Sequence, residues 1–303
     1  MVTMQMSAIL GEFDVKNDIT ILSRNRPKLK PFKFGYLSRK VDLKTGFDLN
    51  EEYETSHGIH HIFNYVNNTK IMSNLYKDFN DTKYLFVCGR YILTKLEKFA
   101  RGVEESFEIL AFRRGNVVYI GSNRTLAKNR VVNPKHKLSI YAGLNFGKYF
   151  TYNNNIKNSG DTHSIVRNIR LNDSSTESTH SLLVSSTVRA FDDKSNPIEL
   201  HTKCERKSFK RCMIDWSFSA VLAGSSKIIY GLRNNDYELT SICHTEKILT
   251  DHSDALNVIH KTLTRITNLI ENESCVLITP IYGQRELSFQ KVDIGYMNKS
   301  DQW

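Results

Sequence analysis

LLVSSTVRAFDDKSNPIELHTKCERKSFKRCMIDWSFSAVLAGSSKIIYGLR, residues Leu182 to Arg233, is the stretch on which the reading of this chain turns. Two strand-like runs, LLVSSTVRAF and PIELHTK, flank a polar turn, DDKSNP. A basic, partly apolar segment follows, and then another strand, KIIYG. Side chains two apart on a strand share a face, so Thr187 pairs with Arg189 and Glu199 with His201. Carboxylates spaced this way on neighbouring strands commonly hold divalent metals for phosphodiester hydrolysis. Only Glu199 of these four is acidic. Asp192 and Asp193 lie close by, but DDKSNP has turn composition. Moving one of them into the pair needs a register shift that would turn the whole strand over. They are read as solvated turn residues.

Working outward, LFVCGRYILTKL (Leu85 to Leu96) and YAGLNFG (Tyr141 to Gly147) precede the stretch. Trp216, Leu222, Gly224, Lys227, Ile228, Ile229, Gly231 and Arg233 close it. These three blocks, in this order, resemble the DXO family of RNA decapping nucleases. The family's patterns there are "dfVcwRGlLtKi", "yyGykFE" and "pKIivGfR", with Arg90 at the motif arginine.

The resemblance implies a mixed α/β fold of two packed mixed β-sheets flanked by helices, and a site using Mg2+ or Mn2+ on RNA 5′ ends. Carried over by position, the glutamate ending the second block is Gly147. The Glu-x-Asp pair is Thr187 and Arg189. The Glu-x-Lys pair is Glu199 and His201, and a helix glutamine falls on Ser219. Magnesium needs hard oxygen ligands, and two ions need several carboxylates to neutralise them. Glu199 alone does not supply them, and Arg189 is a permanent cation in the same place. The expectation is a pseudoenzyme in which Arg189 pairs with Glu199 and stands in for the metal. Arg90 is expected to contact a phosphate, with Lys203, Lys207 and Lys210 as RNA-binding residues. Three functions follow: a non-catalytic binder of RNA 5′ ends, an active decapping hydrolase or exonuclease on NAD-capped or incompletely capped RNA, and a protein-interaction scaffold. They divide on RNA binding and on metal-dependent product.

Charge and composition bound the rest. The chain has 303 residues, a net charge of +10 and 40% apolar residues, enough for a globular core. Basic clusters at Arg24 to Lys33, Arg113 and Arg114, Lys128 to Lys137 and Lys203 to Arg211 favour a polyanionic partner. Five scattered cysteines without CxxC spacing read as free thiols of a reducing compartment, the nucleus or cytosol. The opening MVTMQMSAILGEF lacks a basic lead and is not read as a signal peptide, so sequons such as that at Asn67 are chance. No run approaches the roughly 20 apolar residues of a membrane helix, and no membrane partner is expected. His57, His60 and His61 lack an HExxH frame and are read as surface residues. No phosphate loop, dinucleotide fingerprint or nucleophile elbow is present.

Along the chain, one domain over residues 1–303 is expected. ILGEFDVKNDITIL alternates as a short hairpin or edge strand, and FKFGYL leads in extended. His57 to Tyr76 and Asp251 to Asn272 carry helical spacing, the second with Thr, Ser and Asp ahead as a cap. Phe86 to Lys98 starts as a strand and becomes a helix. SFEILAFRRG and NVVYIG form a hairpin. The polar, Asn-rich segment Lys148 to Ser178 is expected to be a loop or insertion. SCVLITPIY and ELSFQKVDI are the last strands.

Overall fold

The computed structural model describes residues 1–16, 19–22, 26–51, 59–69, 82–104, 106–122, 133–152, 162–246, 248 and 251–293. The strands are β1 (Val2–Lys16), β2 (Ile19–Leu22), β3 (Gly35–Asp42), β4 (Leu85–Gly89), β5 (Ile109–Arg114), β6 (Val117–Ser122) and β7 (Thr162–Asp173). They continue with β8 (Ser178–Thr187), β9 (Ala190–Phe191), β10 (Pro197–Cys204), β11 (Ile228–Arg233), β12 (Glu238–Thr245), β13 (Cys275–Pro280) and β14 (Leu287–Val292). The helices are α1 (Ile59–Asn68), α2 (Arg90–Ala100), α3 (Pro134–Phe150), α4 (Phe209–Ala223) and α5 (Ser253–Leu269).

Two mixed sheets result. The larger has the order β14-β13-β5-β6-β4-β8-β7-β1-β2, and the smaller β3-β12-β11-β10-β9. Strand β4 runs parallel to β6 and β8, and β10 parallel to β11. Alternation along β4 explains the two apolar faces of the large sheet. Phe86 and Cys88 face a core with Ile92, Leu96 and Phe99 of α2, Phe218 of α4 and Ile259, Leu263 and Ile266 of α5. Leu85 and Val87 face the other core, with Phe13 and the α1 residues Ile62, Tyr65 and Val66. A third core joins α3, through Ala142, Phe146 and Phe150, to Ile198, Leu200, Ile229 and Leu239 of the small sheet. Helix α3 comes so close that a Cβ at Gly231 would run into Leu239 and lie 2.8 Å from Phe146 Cε2.

The predicted hairpins form. Strand β1 pairs with β2 at the sheet edge, and β5 with β6 across Gly115 and Asn116, Gly115 having φ +61°. The segment Lys148 to Ser178 is not the loop its composition indicated. Lys148 to Phe150 end α3, and Thr162–Asp173 is the twelve-residue strand β7, paired on both sides. Composition misled because two of its polar side chains find long-range partners inside the sheet: His163 Nδ1 lies 2.7 Å from Asp14 Oδ1, and Arg167 donates to Ser7 O at 2.7 Å. Ser174–Glu177 is a turn, and residues 153–161 lie outside the described part. The helix expected over His57 to Tyr76 is observed at Ile59–Asn68, while 70–76 lie outside the described residues. Helix α5 is N-capped by His252 without a side-chain cap bond; Asp251 Oδ1 accepts from Ser253 N at 3.3 Å instead.

Candidate active-site cavity

Strand β4 delivers Gly89 and then Arg90 as the first residue of α2. Strand β8 ends at Thr187, followed by Val188 and Arg189, and β10 carries Glu199 and His201 on one face. Because the two sheets meet here, these residues surround one cavity of about 240 Å3. Its walls also include Phe13, His61, Tyr91, Thr94, Ser164 and Ser185, with Ser219 on α4. Thr187 and Arg189 also border a smaller hollow beside Gly147, Lys148 and Thr151.

Glu199 is buried at 6% exposure, and its partners are Arg90 and His201. Arg90 Nη1 binds Glu199 Oε1 and also donates to Ser219 O at 3.0 Å. Arg90 Nη2 donates to Thr187 O at 2.9 Å. The guanidinium thus ties β8, β10 and α4 together. His201 Nε2 lies 3.2 Å from Glu199 Oε2, and its ring stacks on Trp216 at 4.7 Å and 5°. Burial favours the protonated form of Glu199, but the Arg90 charge and the bonds from His201 and Arg90 outweigh it and hold the carboxyl down to about 2. Burial lowers the pKa of His201, with Arg189 and Arg90 adding to the effect against the pull of Glu199, so the imidazole is neutral at pH 7.

The expected pairing of Arg189 with Glu199 is therefore corrected: the hydrogen-bonded ion pair is Arg90–Glu199. Arg90 is closer to the carboxylate because α2 starts directly at the end of β4, whereas Arg189 turns toward α3. Arg189 Nη1 donates to Gly143 O at 3.1 Å. Its stem lies along Gly147, where a Cβ would be 3.4 Å from Arg189 Cδ. Burial depresses the Arg189 pKa, Glu199 opposes this and Arg90 adds to it. A guanidinium nevertheless remains charged at neutral pH.

Among the predicted site residues, Arg90, Thr187, Arg189, Glu199, His201 and Ser219 line the cavity, and Gly147 lies behind Arg189. Lys203 is turned inward, donating to Cys204 O at 3.2 Å and Glu205 O at 3.4 Å, while Lys207 and Lys210 are exposed on the surface. Asp192 and Asp193 sit in a turn, with Asp192 Oδ1 accepting from Asn196 N at 2.7 Å. His61 is buried at 1% exposure, not on the surface: it falls on the inner face of α1, with Nδ1 2.9 Å from Thr20 Oγ1. His57 lies outside the described residues. Phe13, Ser164 and Ser185 reach the cavity only through the long-range pairing of β1, β7 and β8, and His61 through the packing of α1, so no sequence signal marked them as lining residues. Among the described residues, no group of three or more His, Cys, Asp or Glu is placed to hold a metal ion, and no helix is long and apolar enough to cross a membrane. No disulfide links the five cysteines.

Comparison with known proteins identifies the family to which this two-sheet fold belongs. The model of the family described as RAI1 like PD-(D/E)XK nuclease matches residues 7–298, and the chain belongs to that family. Among solved structures it is similar to Candida albicans Rai1 in complex with pU5-Mn2+, at 13% identity and TM-score 0.72, over 99% of this chain and 92% of that one. Scheffersomyces stipitis Rai1 in complex with (3'-NADP)+ and calcium ion gives the same identity, TM-score and coverage. K. lactis Dxo1 in complex with manganese has 12% identity and TM-score 0.64 over 97% of this chain and 90% of that one. No curated protein matches the chain.

Proposed function

We propose that this protein takes part in RNA 5′-end processing or decay by holding RNA 5′ ends in the inter-sheet cavity without metal-dependent hydrolysis. Family membership supports the RNA-end half of the reading, with relatives solved in complex with pU5-Mn2+ and (3'-NADP)+. The observation that carries the other half is the state of Glu199: among the described residues it is the one carboxylate lining the cavity, and Arg90 already neutralises it. Mg2+ and Mn2+ take several oxygen ligands, with carboxylates supplying the compensating charge. Here the charged groups are two guanidiniums against one carboxylate, so the residues present do not fit a divalent ion, and no catalytic step is derived through one.

What the chain's own residues can do is bind. Serine and threonine hydroxyls from Ser164, Ser185, Thr187 and Thr94 line the cavity as donors and acceptors. Arg90 is committed to Glu199 and to two carbonyls, so its contribution is to fix the cavity's shape. Exposed Lys207 and Lys210, with the net charge of +10, add salt-sensitive attraction for the RNA body. The free thiols fit a reducing compartment, nucleus or cytosol.

The test uses purified protein with 5′-monophosphate, NAD-capped and GpppN-capped RNA, with and without Mg2+ or Mn2+. Binding without product supports the proposal. Metal-dependent product that disappears in Glu199→Ala would establish the active-hydrolase reading instead, and absence of binding at low salt would leave the scaffold reading.

A further inference from the structure

We infer that Arg189 is an anion receptor that holds a 5′-terminal phosphate directly, with no metal between. The inference rests on the RNA-end reading and adds the chemistry of the end: a 5′-monophosphate, distinguished from a 5′-hydroxyl.

Three observations converge on Arg189. First, Arg189 borders both the main cavity and the smaller hollow next to it. Second, it is under-used. Among the described residues its one hydrogen bond is to Gly143 O, and no carboxylate is within ion-pair distance. A guanidinium has five N–H donors in a fork that matches two phosphate oxygens. Arg90, by contrast, spends its donors on Glu199, Thr187 O and Ser219 O. Third, the side chain is held in place along α3. Gly143 and Gly147 sit one turn apart on the same face of α3, where Cβ atoms would lie 3.7 Å from Arg189 Nη1 and 3.4 Å from Arg189 Cδ. The stem passes Gly147 and the Nη1 end of the head rests on Gly143 O, so the side chain is held against α3 while lining the cavity.

The charge balance points the same way. Arg90 and Arg189 contribute two positive charges and Glu199 one negative charge, so the cavity carries an uncompensated cation. A buried cation costs free energy unless an anion joins it. A phosphate dianion at Arg189 meets that need, and the hydroxyls of Thr187, Ser185 and Ser164 stand on the same walls to complete its hydrogen bonds.

The experiment is a binding titration in EDTA with a short oligoribonucleotide carrying either a 5′-phosphate or a 5′-hydroxyl, together with thermal shifts in inorganic phosphate. The 5′-phosphate form is expected to bind about 10- to 100-fold more tightly, the range of a charge-assisted contact. In Arg189→Gln that preference falls to about onefold while residual binding of both oligonucleotides persists, and the phosphate-induced rise in Tm is lost. Arg189→Lys, which keeps the charge but not the fork, retains part of the preference and serves where the glutamine variant does not fold. Equal binding of the two ends, a preference that survives in Arg189→Gln, or one that appears only with Mn2+ would overturn the inference while leaving RNA binding in place. No binding of either oligonucleotide would overturn it together with the reading on which it rests. A phosphate shift in Tm without oligonucleotide preference would assign the site to free phosphate and also overturn it.

Discussion

Replacing Arg90 by alanine is expected to destabilise the fold strongly, because the residue joins three elements at once. The substitution strands the Glu199 carboxylate at 7% side-chain exposure and frees the carbonyls of Thr187 and Ser219. Removing one partner of a buried pair typically costs about 3–5 kcal/mol. The lost carbonyl bonds place this case toward the upper end. With an unfolding entropy of roughly 2.1 cal/mol/K per residue, a chain of 303 residues loses about 5–8 °C of Tm. Urea titration followed by tryptophan fluorescence reports the change, since Trp216 stacks on His201 beside the pair. A control separates charge from packing: Arg90→Met combined with Glu199→Leu removes both charges at similar volume and should recover most of the loss. An Arg90→Ala protein within about 1 kcal/mol of the parent, or a double variant as unstable as the single one, would refute the pairing.

Two further predictions follow from the same packing. Gly231→Ala places a methyl against Leu239 and Phe146, and should cost about 1–3 kcal/mol by urea titration with no change in RNA-end preference. His180 is held down to about 4 by burial and then by its neighbour His260, with ring centroids 4.6 Å apart. A histidine whose folded pKa is depressed contributes stability that is present above its unfolded value near 6.5 and is lost as pH falls from there toward 4. Up to about 3 kcal/mol is expected to disappear over that window, and His180→Gln should flatten that part of the stability curve.

Much of the fold was legible because its signals are local. The segment from Phe86 to Lys98 read as a strand becoming a helix, the spacing of Ile259, Leu263 and Ile266 marked α5, and a short turn at Gly115 and Asn116 joined β5 to β6. The pairing of Glu199 with His201 on one face needed only the period of a strand. The strand β7 was hidden because its His163 and Arg167 look like loop residues until Asp14 and Ser7 O meet them from β1, about 150 positions away. The partner of Glu199 was misassigned for a related reason: Arg189 is ten positions distant and Arg90 is 109, yet chain topology puts Arg90 against the carboxylate. A signal for the place of Arg189 against α3 was present in the sequence. Glycines at 143 and 147 leave one helix face bare where a long side chain can lie, and that spacing is readable without a structure.

The proposed function requires a cavity whose charge is set by guanidiniums and which therefore takes anions and not divalent cations. Direct Mn2+ titration, following free Mn2+ by electron paramagnetic resonance at neutral pH, tests it. The prediction is no stoichiometric site up to millimolar Mn2+ and no difference between the parent protein and Glu199→Gln. One Mn2+ bound per chain at micromolar concentration, and lost in Glu199→Gln, would contradict it.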